Sequence, residues 1–378
     1  MKWLDFVLRQ KELLRVFRMN TDTVLGDSEV EIRFFNFNST YDFIHAAKVS
    51  KNALLDGSIV ENLQFSYPVF FPKKTGKQNK AIVLLHGLNE RNWDKYLCWA
   101  EYLAVHTKRP VILFPIAYHM NRSPNLWSDP RLMSILVKKR QERIGESRTL
   151  CFANVALSER LSEDPVRFYT SGKQTIDDLT QLTLSLQNGD HPMFSKETTV
   201  DFFAYSIGSF LAEIALMINP LNLFNRSKLF VFCGGSIFRS MFGESRFIMD
   251  KTAYDKLMDF YQNKWLLEAK NFDAAEDVVK DSFSSMISPE IERERREHFF
   301  SRMGDKIFGI SLKKDLVMPF GGVEACMGDK IATKKIKLLD FPYAYSHESP
   351  FPTRDKIEPK ILNNSFNLVF SSAVSFFG

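Results

Sequence analysis

Two kinds of apolar pattern alternate along this chain. Short runs rich in apolar residues occur at 81–85, 110–115, 199–205, 228–233, 307–312 and 336–341. Their length and their β-branched and aromatic content predict strands, buried ones at 82–85, 200–203 and 228–233. Between them, apolar residues return every three or four positions. Tyr96, Trp99, Ala100 and Leu103 do so within 93–105, and Ile176, Leu179, Leu182 and Leu186 within 175–186. Residues 132–143, 210–217 and 366–377 read as helices too. Such alternation of strand and helix predicts an α/β fold: a mostly parallel, doubly wound sheet flanked by helices. Upstream, residues 1–18 carry Leu4, Val7, Leu8, Leu13, Leu14 and Phe17 near helical spacing. Residues 29–35 alternate with period two, and 65–71 form a further strand in which Pro68 predicts an edge or a bend.

Two stretches interrupt this rhythm. Residues 116–195 separate two strands by far more than a crossover needs, and hold a polar loop at 121–130. Residues 239–304 are helical in pattern, charged near 290–298, and also lie between two strands. The expected division is an N-terminal extension at 1–58 packed on the core, a core at 59–238 and 305–378, and a helical insertion at 239–304.

Composition narrows the picture. Of 378 residues, 45% are hydrophobic, and 35 are phenylalanine, which points to an aromatic core ahead of an aromatic cleft. The net charge of +5 is dispersed, with no basic and aromatic interleaving of a nucleic-acid module. Cys98, Cys151, Cys233 and Cys326 are too far apart for a metal knuckle or a redox pair. The first ten residues lack the form of a secretory signal, and no stretch of ~20 apolar residues predicts a membrane span. The expectation is a soluble cytoplasmic protein. Neither a metal-ligand cluster nor a phosphate-cradling glycine loop is present in the sequence, so no metal and no cofactor are expected.

The chemistry concentrates in Thr199-Val-Asp-Phe-Phe-Ala-Tyr-Ser-Ile-Gly-Ser209. Ser206 falls where a predicted strand turns into a predicted helix, and there a side chain stands clear of the sheet beside free helix N–H groups. Ala204 and Gly208 supply the small residues that so tight a junction needs. A serine at that place also suits a helix cap. His86-Gly87 ends the strand at 81–85, Asp315 follows the strand at 307–312, and His347 follows that at 336–341.

The chain order of His-Gly, elbow serine, acid and histidine resembles the α/β-hydrolase superfamily, over roughly residues 60–378. The resemblance implies a serine hydrolase, acting on a carboxylic ester or related acyl bond. Ser206 would be the nucleophile, His347 the general base and Asp315 its orienting acid. Glu244, one strand earlier, is the alternative acid. The resemblance further implies an oxyanion hole from the backbone N–H groups of Ile207 and Leu88, with Asn89 as a second option, and gives His86 the part of ordering that loop. It makes 239–304 a cap, with 120–165 as a second wall. Tyr205, His119, Phe238 and Phe242 are the candidate substrate-binding residues, and Phe247, Met249, Tyr254 and Phe260 further candidates for the pocket wall. The expected partner is a small acyl substrate. Relatives that keep aspartate at the elbow open epoxides or cleave halides; serine points to acyl transfer. A thioesterase, acyltransferase, peptidase or non-catalytic binding protein would share the same pattern.

Overall fold

The computed structural model describes residues 5–73, 75–271, 278–353 and 356–378. Nine strands form one sheet: β1 (Thr23–Val24), β2 (Val30–Asn38), β3 (Gln64–Pro72), β4 (Gln78–Leu85), β5 (Val111–Leu113), β6 (Phe194–Tyr205), β7 (Leu229–Phe232), β8 (Ile307–Leu312) and β9 (Ile336–Leu339). Their order is β1-β2-β3-β5-β4-β6-β7-β8-β9. The pairs from β5 through β9 are parallel, while β1, β2 and β3 run antiparallel to their neighbours. Residues 30–38, inside the expected N-terminal extension, are therefore a full strand of the sheet.

Alternation along β6 separates two cores. Phe202 and Ala204 point into a layer that includes the long helix Val166–Asn188 and the elbow helix Ile207–Ile218. Phe203 and Tyr205 point into the opposite layer, built from the helices Phe6–Val16, Leu97–Thr107 and Pro359–Phe377. Phenylalanines fill this second layer. Phe203 stacks on Phe230 and Phe370, with ring centres 5.2 and 5.5 Å away. The Phe6 N–H bonds Asn363 Oδ1 at 2.7 Å, and the Phe6 ring stacks on Phe366 at 4.3 Å, joining the outermost helices of the chain.

Some elements differ from expectation. The N-terminal helix buries Phe6, Gln10 and Leu13, while Leu8 and Leu14 are exposed and Leu4 lies outside the described residues. Pro68 is not at an edge: it pairs with Phe34 in an internal strand. Its missing N–H is tolerated because β5 reaches only Val69 and Phe70 on the other side. The expected helix at 175–186 begins at Val166. Residues 239–304 are several short helices, among them Lys251–Asp259, Val278–Ser285 and Arg293–Met303, and 272–277 lie outside the described residues.

Candidate active site

Four parallel strands deliver the candidate residues to one edge of the sheet, at their carboxyl ends. After β6 the chain turns directly into the elbow helix, and Ser206 takes φ 57°, ψ −128° at the turn. Such a conformation costs a non-glycine residue about 1–3 kcal/mol, and the neighbouring elements hold it in place. Gly208 shows how close they are: a Cβ there would lie 2.8 Å from the His86 carbonyl oxygen. On the far side a Cβ at Gly234 would overlap the Ser209 side chain.

Ser206 Oγ lies 2.6 Å from His347 Nε2, and His347 Nδ1 lies 2.8 Å from Asp315 Oδ2. The carboxylate accepts, so Nδ1 carries the proton and Nε2 is left to accept from the serine hydroxyl. The other Asp315 oxygen accepts the N–H groups of Val317 and Met318, each at 2.9 Å, which fixes the carboxylate plane. All three side chains are buried, and Ser206 is only 3% exposed. The serine stands clear of the sheet, as the turn requires, but a roof of other residues closes over it. Glu244 sits in that roof and accepts a hydrogen bond from Thr149 Oγ1.

The Leu88 and Ile207 N–H groups donate to no other group among the described residues. His86 spans the strand ends beside them: Nδ1–H donates to the Gly87 carbonyl at 2.8 Å, and Nε2 accepts the Ile116 N–H at 2.9 Å. Burial, with a smaller contribution from His119, holds its pKa well below the ordinary histidine value. It is a neutral strut.

The remaining candidates divide. Phe238, Met249 and Tyr254 wall a small cavity that opens on Ser206, together with Phe168, Met241 and Met318. A second small, almost wholly apolar cavity shares Leu88, Phe168 and Ile207 with the first and is bordered by His119. Tyr205 lines neither. Strand alternation turns it to the opposite layer, where its hydroxyl donates to the His347 carbonyl and its ring stacks on the imidazole at 5.5 Å. It supports the histidine and is not placed to touch a substrate. Phe242 is 44% exposed and packs on Tyr254 from outside. Phe247 borders a larger open cleft with Arg91 and Glu348, and Phe260 packs on Tyr261 and Trp265.

Two segments far apart in sequence make the roof. Arg140 binds both oxygens of buried Asp250, at 2.6 and 2.9 Å, and Asp250 also caps the helix Lys251–Asp259. Asn154 Nδ2 donates to the carbonyls of Thr149 and Ser245. The roof is tied down at two points. Asn89, beside the free Leu88 N–H, donates to the carbonyls of Ala153 and Phe247 at 2.9 and 2.8 Å. Ser245 Oγ donates to Glu348, next to His347, at 2.7 Å. Sequence reasoning missed Phe168, Met318 and these ties. Phe168 is about two helical turns ahead of the recognised stripe at 176–186, and its spacing from Thr175 and Ile176 was the available signal.

Strand order, three mutually antiparallel strands beside the parallel core, and a strained serine between β6 and its helix define an α/β-hydrolase fold. The chain belongs to the family of unknown function (DUF6051), whose model matches residues 4–378. No curated protein matches the sequence. Among solved structures it is similar to a thermostable esterase from Pseudomonas putida, at 7% identity over 94% of this chain and 85% of that one, TM-score 0.44. It is also similar to an esterase from Pyrobaculum calidifontis, at 9% identity over 98% and 90%, TM-score 0.42. An esterase from Rhizomucor miehei shares 12% identity over 100% and 92%, TM-score 0.44. Among the described residues no helix is long and apolar enough to cross a membrane.

Proposed function

We propose that this protein is a serine hydrolase that cleaves a carboxylic ester through an acyl-enzyme. The observation that carries this reading is the unbroken row Asp315–His347–Ser206, hydrogen bonded at 2.8 and 2.6 Å beneath two unused backbone donors. Ser206 Oγ attacks the ester carbonyl and His347 Nε2 takes its proton. Asp315 holds the imidazole in the tautomer that can accept, and stabilises the imidazolium. The carbonyl oxygen, gaining charge, is received by the Leu88 and Ile207 N–H groups, each worth about 3 kcal/mol to the transition state. His347 then protonates the leaving alcohol. Water repeats the sequence on the acyl-enzyme and frees Ser206. Every step uses side chains and backbone of this chain alone. Four unpaired cysteines fit a cytoplasmic setting for the enzyme.

The cavity that opens on Ser206 is lined mainly by carbon, which favours apolar groups on the substrate. Labelling with a small fluorophosphonate and mapping the adduct tests the nucleophile; an unlabelled Ser206 in folded protein would refute the reading. A panel of matched esters, thioesters and amides then separates an esterase from a thioesterase or peptidase, and an added alcohol acceptor detects acyl transfer.

A further inference from the structure

The two candidate oxyanion donors are held by different means. The Ile207 N–H belongs to the first turn of the elbow helix, and the helix fixes its direction. The Leu88 N–H lies on a loop directly after Gly87, a residue with no side chain to restrict its backbone. Groups outside the loop must therefore aim it.

Gly87 is clamped on both of its peptides. Its carbonyl accepts from His86 Nδ1–H at 2.8 Å. That carbonyl and the Leu88 N–H share one planar trans peptide and point in opposite directions, so holding the one aims the other. The Gly87 N–H, on the preceding peptide, donates to the Tyr96 hydroxyl at 3.0 Å. That hydroxyl donates in turn to Glu90 Oε1 at 3.1 Å, which commits the phenol's one proton and leaves its oxygen to accept from Gly87. Tyr96 is fully buried among Trp93, Trp99 and Tyr205. Burial, reinforced by the charge of Glu90, raises its pKa well above the ordinary tyrosine value, so it remains a donor. Glu90 is itself anchored: its carboxylate pairs with Lys95, and its carbonyl accepts the Met120 N–H at 3.1 Å. Space around the glycine is tight. A Cβ at Gly87 would lie 3.2 Å from the Tyr205 ring and 3.3 Å from Glu90 Oε1.

We infer that Tyr96 and Glu90 are positioning residues for the oxyanion hole: the chain Lys95–Glu90–Tyr96–Gly87 sets the direction of the Leu88 N–H. This rests on the assignment of Ser206 as the nucleophile and of the Leu88 N–H as an oxyanion donor. Tyr96 acts through Gly87, and Glu90 acts through Tyr96.

Tyr96→Phe deletes the hydroxyl and keeps the ring. It should lower kcat on esters by about 30-fold and leave KM within about 2-fold, a part of the roughly 10²–10³-fold that loss of a whole oxyanion donor costs. A trifluoromethyl ketone reads the hole directly. Ser206 Oγ bonds to its carbonyl carbon, His347 takes the serine proton, and the carbonyl oxygen becomes the oxyanion. Its inhibition constant should weaken in Tyr96→Phe by a factor similar to the loss in kcat, while the matched alcohol, which forms no adduct, should bind as before. Glu90→Ala should behave like Tyr96→Phe, and Glu90→Gln, which keeps an acceptor for the phenol, should recover most of that loss. Glu90 is partly exposed, so this pair decides the matter if Tyr96→Phe does not fold; thermal melts establish which variants do. The inference is overturned if folded Tyr96→Phe or Glu90→Ala keeps wild-type kcat, or loses it while the trifluoromethyl ketone binds at wild-type strength. Fluorophosphonate labelling of the wild type separates the two readings. An unlabelled Ser206 refutes both; a labelled Ser206 with an indifferent Tyr96→Phe refutes this one alone.

Discussion

The floor and the roof of the site are built on different principles. The floor is backbone: parallel strands end together, and the turns after them put Ser206, Asp315 and His347 in a row. Its strain is local, at Ser206, Cys233 and Asn89, whose φ values are 57°, 49° and 60°. The roof is side chain: buried Arg140 and Asp250, and the amides of Asn89 and Asn154, tie loops and short helices to one another. Strand ends can hold reacting atoms because the hydrogen-bonded sheet fixes them. A roof of cross-linked loops can change its lining without disturbing that row. Chemistry is accordingly expected to depend on the floor, and selectivity on the roof.

The largest effects should come from the floor. Ser206→Ala and His347→Ala should each lower ester turnover by about 10⁴-fold or more, since losses within a triad are not additive. The melting temperature should change little for Ser206→Ala, which removes one oxygen from a closed site, and should fall for His347→Ala, which leaves Asp315 Oδ2 buried without its imidazole partner. Asp315→Asn should cost about 10⁴-fold by favouring the wrong imidazole tautomer. Glu244→Gln, up in the roof, should cost far less. Near-normal turnover in any of the first three would break the comparison.

Loosening the roof should act on stability and selectivity instead. Arg140→Met leaves Asp250 buried and unpaired, a loss of about 3–5 kcal/mol to the segments it joins. Proteolysis within 120–165 and 239–271 should accelerate and chain-length preference should broaden, while fluorophosphonate labelling of Ser206 continues. If labelling vanishes in protein whose sheet remains folded, roof and floor are one cooperative unit.

A third test probes the packing behind the floor. Glu213, in the elbow helix, is fully buried with neither carboxylate oxygen bonded among the described residues, and burial raises its pKa well above the ordinary 4.5. A raised folded-state pKa means the carboxyl favours folding below the unfolded value, and this contribution is lost as pH climbs through the folded value. Stability should therefore decline above about pH 4.5 for this group, and Glu213→Gln should flatten the decline. Melting curves across pH, wild type against variant, decide it; parallel curves would mean that an internal partner binds Glu213.

The smallest effects separate two phenylalanines of the roof. Phe238→Ala enlarges the cavity at Ser206 and should shift preference toward bulkier acyl groups by several-fold. Phe242→Ala, outside that cavity, should leave the profile of rates against chain length unmoved. Equal shifts for both would place the substrate path on the outer surface.

The same division explains what could be read from the sequence. Each floor residue follows a compact apolar run, and the run announces both the strand and its end. Ser206, Asp315 and His347 were legible for that reason. Period two along β6 also contained the correction for Tyr205: it shares a face with Phe203, so it packs behind His347. The roof has no such local signature. Arg140 meets Asp250 across 110 residues, and nothing near either one names the other. Phe168 sits on an amphipathic stripe that reads equally as core. His119 was marked by its place after a strand, but its bond to the Ala117 carbonyl, and the lack of a partner for Nε2 among the described residues, depend on its neighbours in space.

The contact between Phe6 and Asn363, 357 positions apart, has a consequence for how the molecule is made. The layer behind the sheet needs segments from both extremes of the described chain. A ribosome that has released only the first of them leaves the apolar face of Phe203, Phe230 and Phe232 open until the helix Pro359–Phe377 emerges to cover it. That face is the stretch most in need of protection during synthesis, and its closure is a late step by topology, since so long a loop must be shut before its contacts count. Shortening the chain at either helix would expose the same aromatic surface, and the expected result in cells is aggregation, with Ser206, Asp315 and His347 all still present.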